Sequence, residues 1–156
     1  MTGGAPAVTG LHAGKRYGEV AVGDEFTSAM TITEAHLTLG AGLIADFNPL
    51  HVNEAFARRS RYGSRILHGV ITSAVLGGPV GMIFAGTALG YLEHNTRFLA
   101  PVRIGDTLTL RWTVTDKTDK PARDAGIVTL RGAAVNQDGV TVAEATGKML
   151  VTALAT

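Results

Sequence analysis

The sequence predicts an α+β fold in which an antiparallel sheet wraps around one long, buried helix. Between Arg65 and Glu93 the chain has no Asp, Glu, Lys or Arg, and from Gly69 its apolar residues have helix-like spacing. The segments after Gly86 alternate between apolar and polar side chains, as half-exposed strands do. Helical and strand-like segments are segregated along the chain, which is typical of α+β proteins.

Length and composition are those of a compact globular protein. The 156 residues suffice for one domain with its own core, and 46% of them are hydrophobic against 17% charged. A net charge of +1 gives no sign of a surface for nucleic acid or anionic membranes. The absence of cysteine excludes disulfides and thiolate metal sites and is compatible with the cytoplasm. We therefore expect a single cytoplasmic domain over 16–156 without a nucleic-acid or membrane partner.

Two segments need separate interpretation. Residues 1–15 are rich in Gly, Ala, Pro and Thr and lack the pattern of a secretory signal, which predicts a flexible N-terminal tail. The uncharged stretch after Arg65 is long enough to span a bilayer. Its Gly-Gly-Pro sequence at 77–79 would weaken a lone membrane helix, so a buried helix is favoured.

Turn and cap residues predict the individual elements of the first half. Residues 23–33 begin with a Gly-Asp turn and continue with Thr-rich, β-compatible residues, which predicts a strand. The Thr-Glu pair that follows predicts the start of a helix that runs to about Ile44. Pro49 cannot continue that helix, so the chain turns at 46–50 before a second short helix over 54–59.

The second half is predicted to be one long helix followed by strands. The helix extends from Gly69 to about Ala85, with a kink or a tightened turn near Pro79. Three or four long antiparallel strands then follow. Asp138-Gly139 lies between two β-rich segments and predicts a two-residue hairpin there.

Asp46 and His51 are the first candidates for chemistry. The turn that Pro49 forces between them can bring a carboxylate and an imidazole to the same side. Such a pair moves protons near neutral pH. In the alternative interpretation, Asp46 caps the turn and His51 is a polar residue bonded to the backbone.

Gly69 is the second candidate, because a helix that begins there leaves its amide without an intrahelical acceptor. The amide lies at the positive end of the helix, and the missing side chain lets a substrate oxygen approach. Such an amide can stabilise an oxyanion. Taken alone, a glycine used for close packing explains the position equally well.

These residues together resemble the hydratase motif of MaoC-like dehydratases and R-specific 2-enoyl-CoA hydratases. The matching positions are Asp46-Phe47-Asn48-Pro49-Leu50-His51, Ala55-Phe56 and His68-Gly69. Weaker similarity at 17–26, 97–108 and 136–151 extends the resemblance over nearly all of the chain after about Arg16. It implies a hot-dog fold, a homodimer or a multiple of dimers with sheets joined across the pair, and a thioester substrate that enters near the interface.

The resemblance also implies the reaction and the residue roles. Asp46 and His51 would be the catalytic pair, Asn48 and Pro49 would shape the turn that supports it, and the Gly69 amide would hold the thioester oxygen. The reaction would be reversible hydration of a trans-2-enoyl-CoA to an R-3-hydroxyacyl-CoA. Coenzyme A is part of that substrate, and no separate cofactor is implied.

Further substrate contacts are predicted near the start of the long helix, at His68, Val70, Thr72 and Ser73. The chain departs from the family pattern at Ala45, where the motif more often has Gly, and at Gly77, where some relatives have Ser. The hydroxyls of Thr72 and Ser73 can replace that serine, but we favour hydrogen bonds back to the helix.

A basic cluster and several histidines complete the candidates. Arg58, Arg59, Arg61 and Arg65 can bind the phosphates of coenzyme A, although a solvated surface is the favoured interpretation. His12, His36 and His94 lack the spacing of a metal site, so we predict no metal.

Two other functions stay open at this point. A hot-dog acyl-CoA thioesterase would share the fold, but such enzymes usually place a carboxylate on the buried helix, and residues 69–85 contain none. A noncatalytic subunit that binds acyl thioesters is the other alternative. The intact pair of Asp46 and His51 counts against it.

Overall fold

The computed structural model describes residues 14–154, which form five strands and four α-helices. In chain order these are β1 (Glu25–Thr31), α1 (Glu34–Ile44), α2 (Pro49–Val52), α3 (Glu54–Arg59), α4 (Gly69–Ile83), β2 (Ala88–Phe98), β3 (Thr107–Lys120), β4 (Ala125–Val135) and β5 (Thr141–Thr152). Of the predicted tail over 1–15, only Gly14 and Lys15 lie within the described residues, and His12 lies outside them. None of the helices in residues 14–154 has the length and apolar character needed to cross a membrane.

The strands form one antiparallel sheet in the order β1-β3-β4-β5-β2. Four strands follow α4, as predicted. The predicted hairpin joins β4 to β5, but its loop has five residues, 136–140, rather than two. The side chain of Asn136 accepts hydrogen bonds from the amides of Asp138 and Val140, at 3.1 and 2.9 Å, and Gly139 has φ 76°. Asn136 therefore closes a wider turn than the Asp-Gly pair alone predicts.

Helix α4 packs against the sheet, as the sequence predicts, and forms the centre of the core. Leu76 and Val80 on α4 and Trp112 on β3 are fully buried. The indole nitrogen of Trp112 donates a hydrogen bond to the Leu76 carbonyl, at 2.8 Å. The helix ends at Ile83, slightly before the predicted end, and contains Pro79. A sheet against a long helix is the hot-dog arrangement that the resemblance implies.

A polar cluster connects α4 to the edge strand β2. The Ser73 hydroxyl lies 2.7 Å from the Thr96 hydroxyl, and the His94 Nε2 atom lies 3.0 Å from both. The Tyr91 hydroxyl contacts His94 Nδ1 at 2.7 Å. The expectation that Ser73 bonds back to its own helix is therefore wrong, because β2 offers nearer partners. For Thr72 it is confirmed, since its hydroxyl donates to the His68 carbonyl at 3.1 Å.

We expect His94 to make stability pH-dependent. Burial lowers the pKa of His94 in the folded protein, so the unfolded chain binds a proton first as the pH falls through about 6.5. The free energy of unfolding that His94 contributes is present above that pH and decreases as the pH falls towards the folded-state pKa. In urea unfolding between about pH 7.5 and 5.5, His94→Gln should lose less stability than the wild type. Equal losses would contradict this expectation.

Two glycine substitutions test the packing around Trp112. A Cβ atom at Gly132 would lie 2.6 Å from the Trp112 ring, so Gly132→Ala should lower the free energy of unfolding by about 1–3 kcal/mol. Gly42 in α1 is the matched control, because no heavy atom outside its own helix lies within 4 Å of an added Cβ. Gly42→Ala should raise that free energy by up to about 1 kcal/mol. Chemical denaturation measures both, and a Gly132→Ala variant as stable as the wild type would contradict the packing.

Candidate active site

A residue in the left-handed conformation turns the chain between α1 and the Asp-Phe-Asn-Pro turn of the motif at 46–49. Ala45 ends α1 with φ 54° and ψ 30°, and the amides of Ala45 and Asp46 both donate to the Ala41 carbonyl. This conformation costs a residue with a Cβ about 1 kcal/mol and suits glycine. The glycine that the motif more often has at this position therefore has a backbone reason, and the chain adopts the same kind of helix end with alanine.

The predicted supporting turn includes a short helix, α2, that the sequence analysis missed. The Asn48 side chain accepts a hydrogen bond from the Leu50 amide at 3.0 Å, and Pro49 occupies the first helical position. An Asn-Pro pair favours a helix start in this way, so the signal was present. Asp46 Oδ1 accepts from the Asn48 amide at 3.1 Å. Because His51 lies on α2, these bonds fix its backbone relative to that of Asp46.

The structure brings Asp46 and His51 together. Asp46 Oδ2 lies 3.8 Å from His51 Nε2, which is longer than a direct hydrogen bond and lets both atoms hydrogen-bond to one hydroxyl or water that lies beside them. His51 Nδ1 lies 2.8 Å from the carbonyl oxygen of Ile66. A carbonyl only accepts, so Nδ1 carries a proton, and Nε2 is the ring nitrogen that lies near Asp46. The His51 side chain is 12% exposed and that of Asp46 46%.

Both interpretations of this pair describe part of its geometry. One oxygen of Asp46 caps the turn, and one nitrogen of His51 bonds to the backbone, as the alternative interpretation states. The other oxygen and the other nitrogen face each other. The bonds to the backbone orient the side chains, and the second atom of each remains available for proton transfer.

His68 lies beneath this pair. It is 1% exposed, its Nε2 atom donates to the Asp46 carbonyl at 2.9 Å, and its ring stacks on that of His51 with centroids 3.8 Å apart. Its Nδ1 atom is buried and has no hydrogen-bond partner among the described residues. Because a carbonyl only accepts, Nε2 carries a proton. His68 supports both members of the pair.

Asp46, His51 and His68 also form a candidate metal cluster that spacing along the sequence did not suggest. Each offers a ligand atom, and these atoms lie within 4.8 Å of one another. One nitrogen of each histidine ring already bonds to a carbonyl, so each ring has one nitrogen left for a metal ion. The absence of a functional metal stays a prediction.

Gly69 begins α4, as predicted, and its amide has no hydrogen-bond acceptor among residues 14–154. A Cβ atom at Gly69 would lie 3.1 Å from the Phe98 ring, so close packing is also present. Gly69, His51 and Thr72 line one side of an open cavity of about 300 Å³. The remaining lining residues are Arg61, Tyr62, Ile66, Leu67 and Phe98 to Val102. The imidazole and the free amide thus face one cavity.

The other predicted substrate contacts lie in different surroundings. Thr72 lines the cavity, whereas Ser73 belongs to the polar cluster with His94 and is not part of the lining. Val70 is 62% exposed on the first turn of α4. Contact of His68, Val70, Thr72 and Ser73 with substrate stays a prediction.

A second, larger cavity was not predicted from the sequence. It has a volume of about 1040 Å³ and is lined mainly by β1 and the outer side of α4, with apolar residues such as Phe26, Met30 and Ile83. Neither Asp46 nor His51 lines it. The smaller cavity is the candidate active site because the His51 imidazole and Gly69 line it. Asp46 is not among the lining residues, but its Oδ2 atom lies 3.8 Å from His51 Nε2.

The arginines of the basic cluster have different contacts. Arg58 and Arg65 bond to carboxylates on α1 and α3, whereas the Arg61 guanidinium donates to the Tyr62 hydroxyl at 2.7 Å and lines the small cavity. The favoured interpretation of a charged, partly solvated surface fits Arg58, whose side chain is 73% exposed.

Comparison with known proteins agrees with this site and fold. Residues 19–136 match the MaoC-like domain, a range that contains the whole motif. An (R)-specific enoyl-CoA hydratase of Rhodospirillum rubrum is 38% identical over 97 residues, which cover 62% of this chain and 67% of the relative. One from Aeromonas caviae is 33% identical over 101 residues, which cover 64% of this chain and 75% of the relative.

Solved structures lead to the same family. An R-hydratase of Pseudomonas aeruginosa, in its unliganded form, superposes with a TM-score of 0.78 at 27% identity and covers 88% of this chain and 85% of its own. A MaoC-like dehydratase of Rhodospirillum rubrum gives a TM-score of 0.75 at 28% identity and covers 92% of this chain and 100% of its own. This chain therefore belongs to the MaoC-like dehydratase family and has its hot-dog fold.

Proposed function

We propose that this protein is a hydro-lyase that reversibly hydrates trans-2-enoyl-CoA thioesters to R-3-hydroxyacyl-CoA. The observation that carries the proposal is the opposed pair of Asp46 Oδ2 and His51 Nε2, 3.8 Å apart, with His51 facing the cavity that the free Gly69 amide also lines. Family membership supports the reaction class, and the names of two similar relatives, both (R)-specific enoyl-CoA hydratases, support the substrate class.

The Gly69 amide activates the thioester. When water adds to C3 of an enoyl thioester, negative charge develops on the carbonyl oxygen. A hydrogen bond from the amide to that oxygen, reinforced by the positive end of α4, is stronger in the transition state than in the substrate. Helix α4 carries no carboxylate that would repel this charge. The absent side chain at Gly69 lets the oxygen approach the amide.

Asp46 and His51 handle the water. A water molecule hydrogen-bonded to both Oδ2 and Nε2 loses one proton to the pair while its oxygen bonds to C3. The C2=C3 π bond breaks, and its electrons move onto the thioester as an enolate. C2 then takes a proton from the pair and the thioester carbonyl re-forms, so the pair returns to its starting state. Both groups lie on one side of the substrate, so hydroxyl and proton add to the same face. The two groups share one water and interact, so the proton steps belong to the pair rather than to either residue. No metal or separate cofactor takes part in the proposed reaction.

Coenzyme A contacts are part of the same proposal. Arg61 is the member of the basic cluster that lines the cavity, so its guanidinium is the proposed partner for a phosphate group. Thr72 also lines the cavity and is the proposed contact for the acyl portion.

We also propose a homodimer, formed through β2. This strand lies at the end of the sheet and exposes Leu89 and Leu92, whose apolar surface and free edge favour pairing with a second copy. Sedimentation equilibrium should give twice 16.2 kDa, and Leu92→Lys should shift the population towards the monomer. A monomer at micromolar concentration would contradict the proposal.

The cytoplasmic location is proposed as well, and cell fractionation tests it.

Substitution of the pair is the direct test of the reaction. Asp46→Asn and His51→Ala should each lower kcat for crotonyl-CoA hydration at least roughly a hundredfold, the scale of general acid–base catalysis. The double variant should be little worse than the single ones, because the two groups act as a unit. Loss of the absorbance of the conjugated thioester measures the rate. Asp138→Asn, in the hairpin loop and outside the lining of the cavity, is the matched control and should retain activity.

Other outcomes of this assay distinguish the alternatives. Release of free thiol while the acyl group keeps its double bond would indicate a thioesterase. Binding of enoyl-CoA without turnover, over short, long and branched acyl groups, would indicate a noncatalytic subunit. Retention of activity by both single variants would overturn the assigned roles.

A further inference from the structure

Arg65 links the helices that flank the proposed proton-transfer pair. Its guanidinium donates to both carboxylate oxygens of Glu34, at 2.7 and 2.8 Å, and through Nε to Glu54 at 3.0 Å. Glu34 begins α1, the helix that ends just before Asp46. Glu54 begins α3, which follows the short helix that carries His51. One side chain therefore joins the starts of two helices on either side of the pair.

The backbone of Arg65 leads directly into the contact that orients His51. The next residue, Ile66, accepts the hydrogen bond from His51 Nδ1 at 2.8 Å. The Ile66 amide donates in turn to the Leu50 carbonyl, on the helix of His51, at 3.3 Å. A displacement of 65–66 would therefore move the imidazole with it.

We propose that Arg65 is a positioning residue, whose hydrogen bonds to Glu34 and Glu54 hold the His51 imidazole at the distance from Asp46 that proton transfer requires. The inference rests on the proposed hydratase function. It assigns Arg65 a role in geometry rather than in binding the phosphates of coenzyme A.

Loss of the Arg65 ion pairs is expected to disturb the geometry of the Asp46–His51 pair more than the global stability of the fold. The Arg65 side chain is 21% exposed, and both carboxylates are more exposed, so the ion pairs contribute little to folding. Misplacement of a reacting group by about 1 Å can nevertheless lower a rate about a hundredfold. The planar fork on Glu34 defines a direction, which a lysine ammonium cannot reproduce.

The charges of the network persist at neutral pH. The hydrogen bond from Arg65 holds the pKa of Glu34 below its ordinary value. Hydrogen bonds from Arg58 and then Arg65 do the same for the pKa of Glu54. The pKa of Arg65 is raised by its bonds to both carboxylates. The side chains of Glu34, Glu54 and Arg65 are therefore all ionised at neutral pH.

Arg58 provides a matched control. It donates to the same carboxylate, with its Nε atom 2.9 Å from Glu54 Oε1, but its side chain is largely exposed. It lies on α3, seven residues before Arg65, and does not precede the carbonyl that His51 uses. Loss of Arg58 removes one ion pair of Glu54 and leaves the fork on Glu34 in place.

The test compares four variants, Arg65→Gln, Arg65→Lys, Glu34→Gln and Arg58→Gln, on two substrates. Crotonyl-CoA carries phosphates, and the crotonyl thioester of N-acetylcysteamine carries none. Arg65→Gln should lower kcat about tenfold or more on both substrates by the same factor, with little change in KM for crotonyl-CoA. Arg65→Lys should recover only part of the loss, Glu34→Gln should lower kcat in the same direction, and Arg58→Gln should stay within about twofold of the wild type.

Each other outcome overturns the proposal. Arg65→Gln activity within about twofold of the wild type on both substrates would show that the network does not position the pair. A loss confined to crotonyl-CoA would show phosphate binding instead. If Arg65→Gln does not fold in a thermal unfolding control, Glu34→Gln decides, because it removes the carboxylate that the Arg65 guanidinium binds and keeps Arg65 itself. An unchanged kcat of Glu34→Gln would overturn the proposal.

Failure of the proposed function is a separate result, seen as a wild type that hydrates neither substrate. The positioning role is then tested by imidazole ¹⁵N NMR of His51. The wild type should have its proton on Nδ1, and Arg65→Gln should show a mixture of the two tautomers. An unchanged tautomer in Arg65→Gln would overturn the positioning role without reference to activity.

Discussion

The hydrogen bond from His51 Nδ1 to the Ile66 carbonyl is the interaction on which the rest of the site depends. It places a proton on Nδ1, the nitrogen bonded to the protein backbone, and leaves Nε2 as the nitrogen near Asp46. Without it, the ring could rotate or exchange tautomers. Nε2 would then no longer be held 3.8 Å from the Asp46 carboxylate in a state suited to proton transfer. The stacked ring of His68 restricts the same imidazole from below.

The site is built mainly from backbone groups and short side chains, and some of them are held in unfavourable states. Ala45 has a left-handed conformation, and the buried Nδ1 atom of His68 has no partner among the described residues. Both features cost free energy, and both lie next to Asp46. The core beneath α4 offsets such costs through extensive apolar burial, and the bond from Trp112 to the Leu76 carbonyl keeps α4 in place. The Gly69 amide is thereby held at a fixed position, which is what the proposed contact with an oxyanion requires.

The sequence predicted the features of the structure that follow from local chemistry. It missed those in which a side chain has several possible hydrogen-bond partners. The start of α4 at Gly69 and the turn at Pro49 were confirmed because backbone donors and ring geometry act within a few residues. The five-residue hairpin loop was missed because the Asn136 side chain outweighs the Asp-Gly signal. Ser73 was assigned to its own helix, yet it bonds to β2, since a hydroxyl takes whichever partner the fold brings nearest.

By itself, the sequence determined the fold class and the turn at Pro49, and it made Asp46, His51 and Gly69 candidates for the site. The fold class follows from apolar periodicity and the turn from proline geometry, which act along the chain, while the family resemblance comes from the motif itself. Only the tertiary structure decided which atom of each side chain is free, that His68 lies beneath the pair rather than beside it, and that Arg65 joins two helices instead of standing in a basic surface. Those arrangements involve segments that are far apart in the sequence. How close they come in space depends on the packing of the whole sheet against α4, which local sequence patterns do not report.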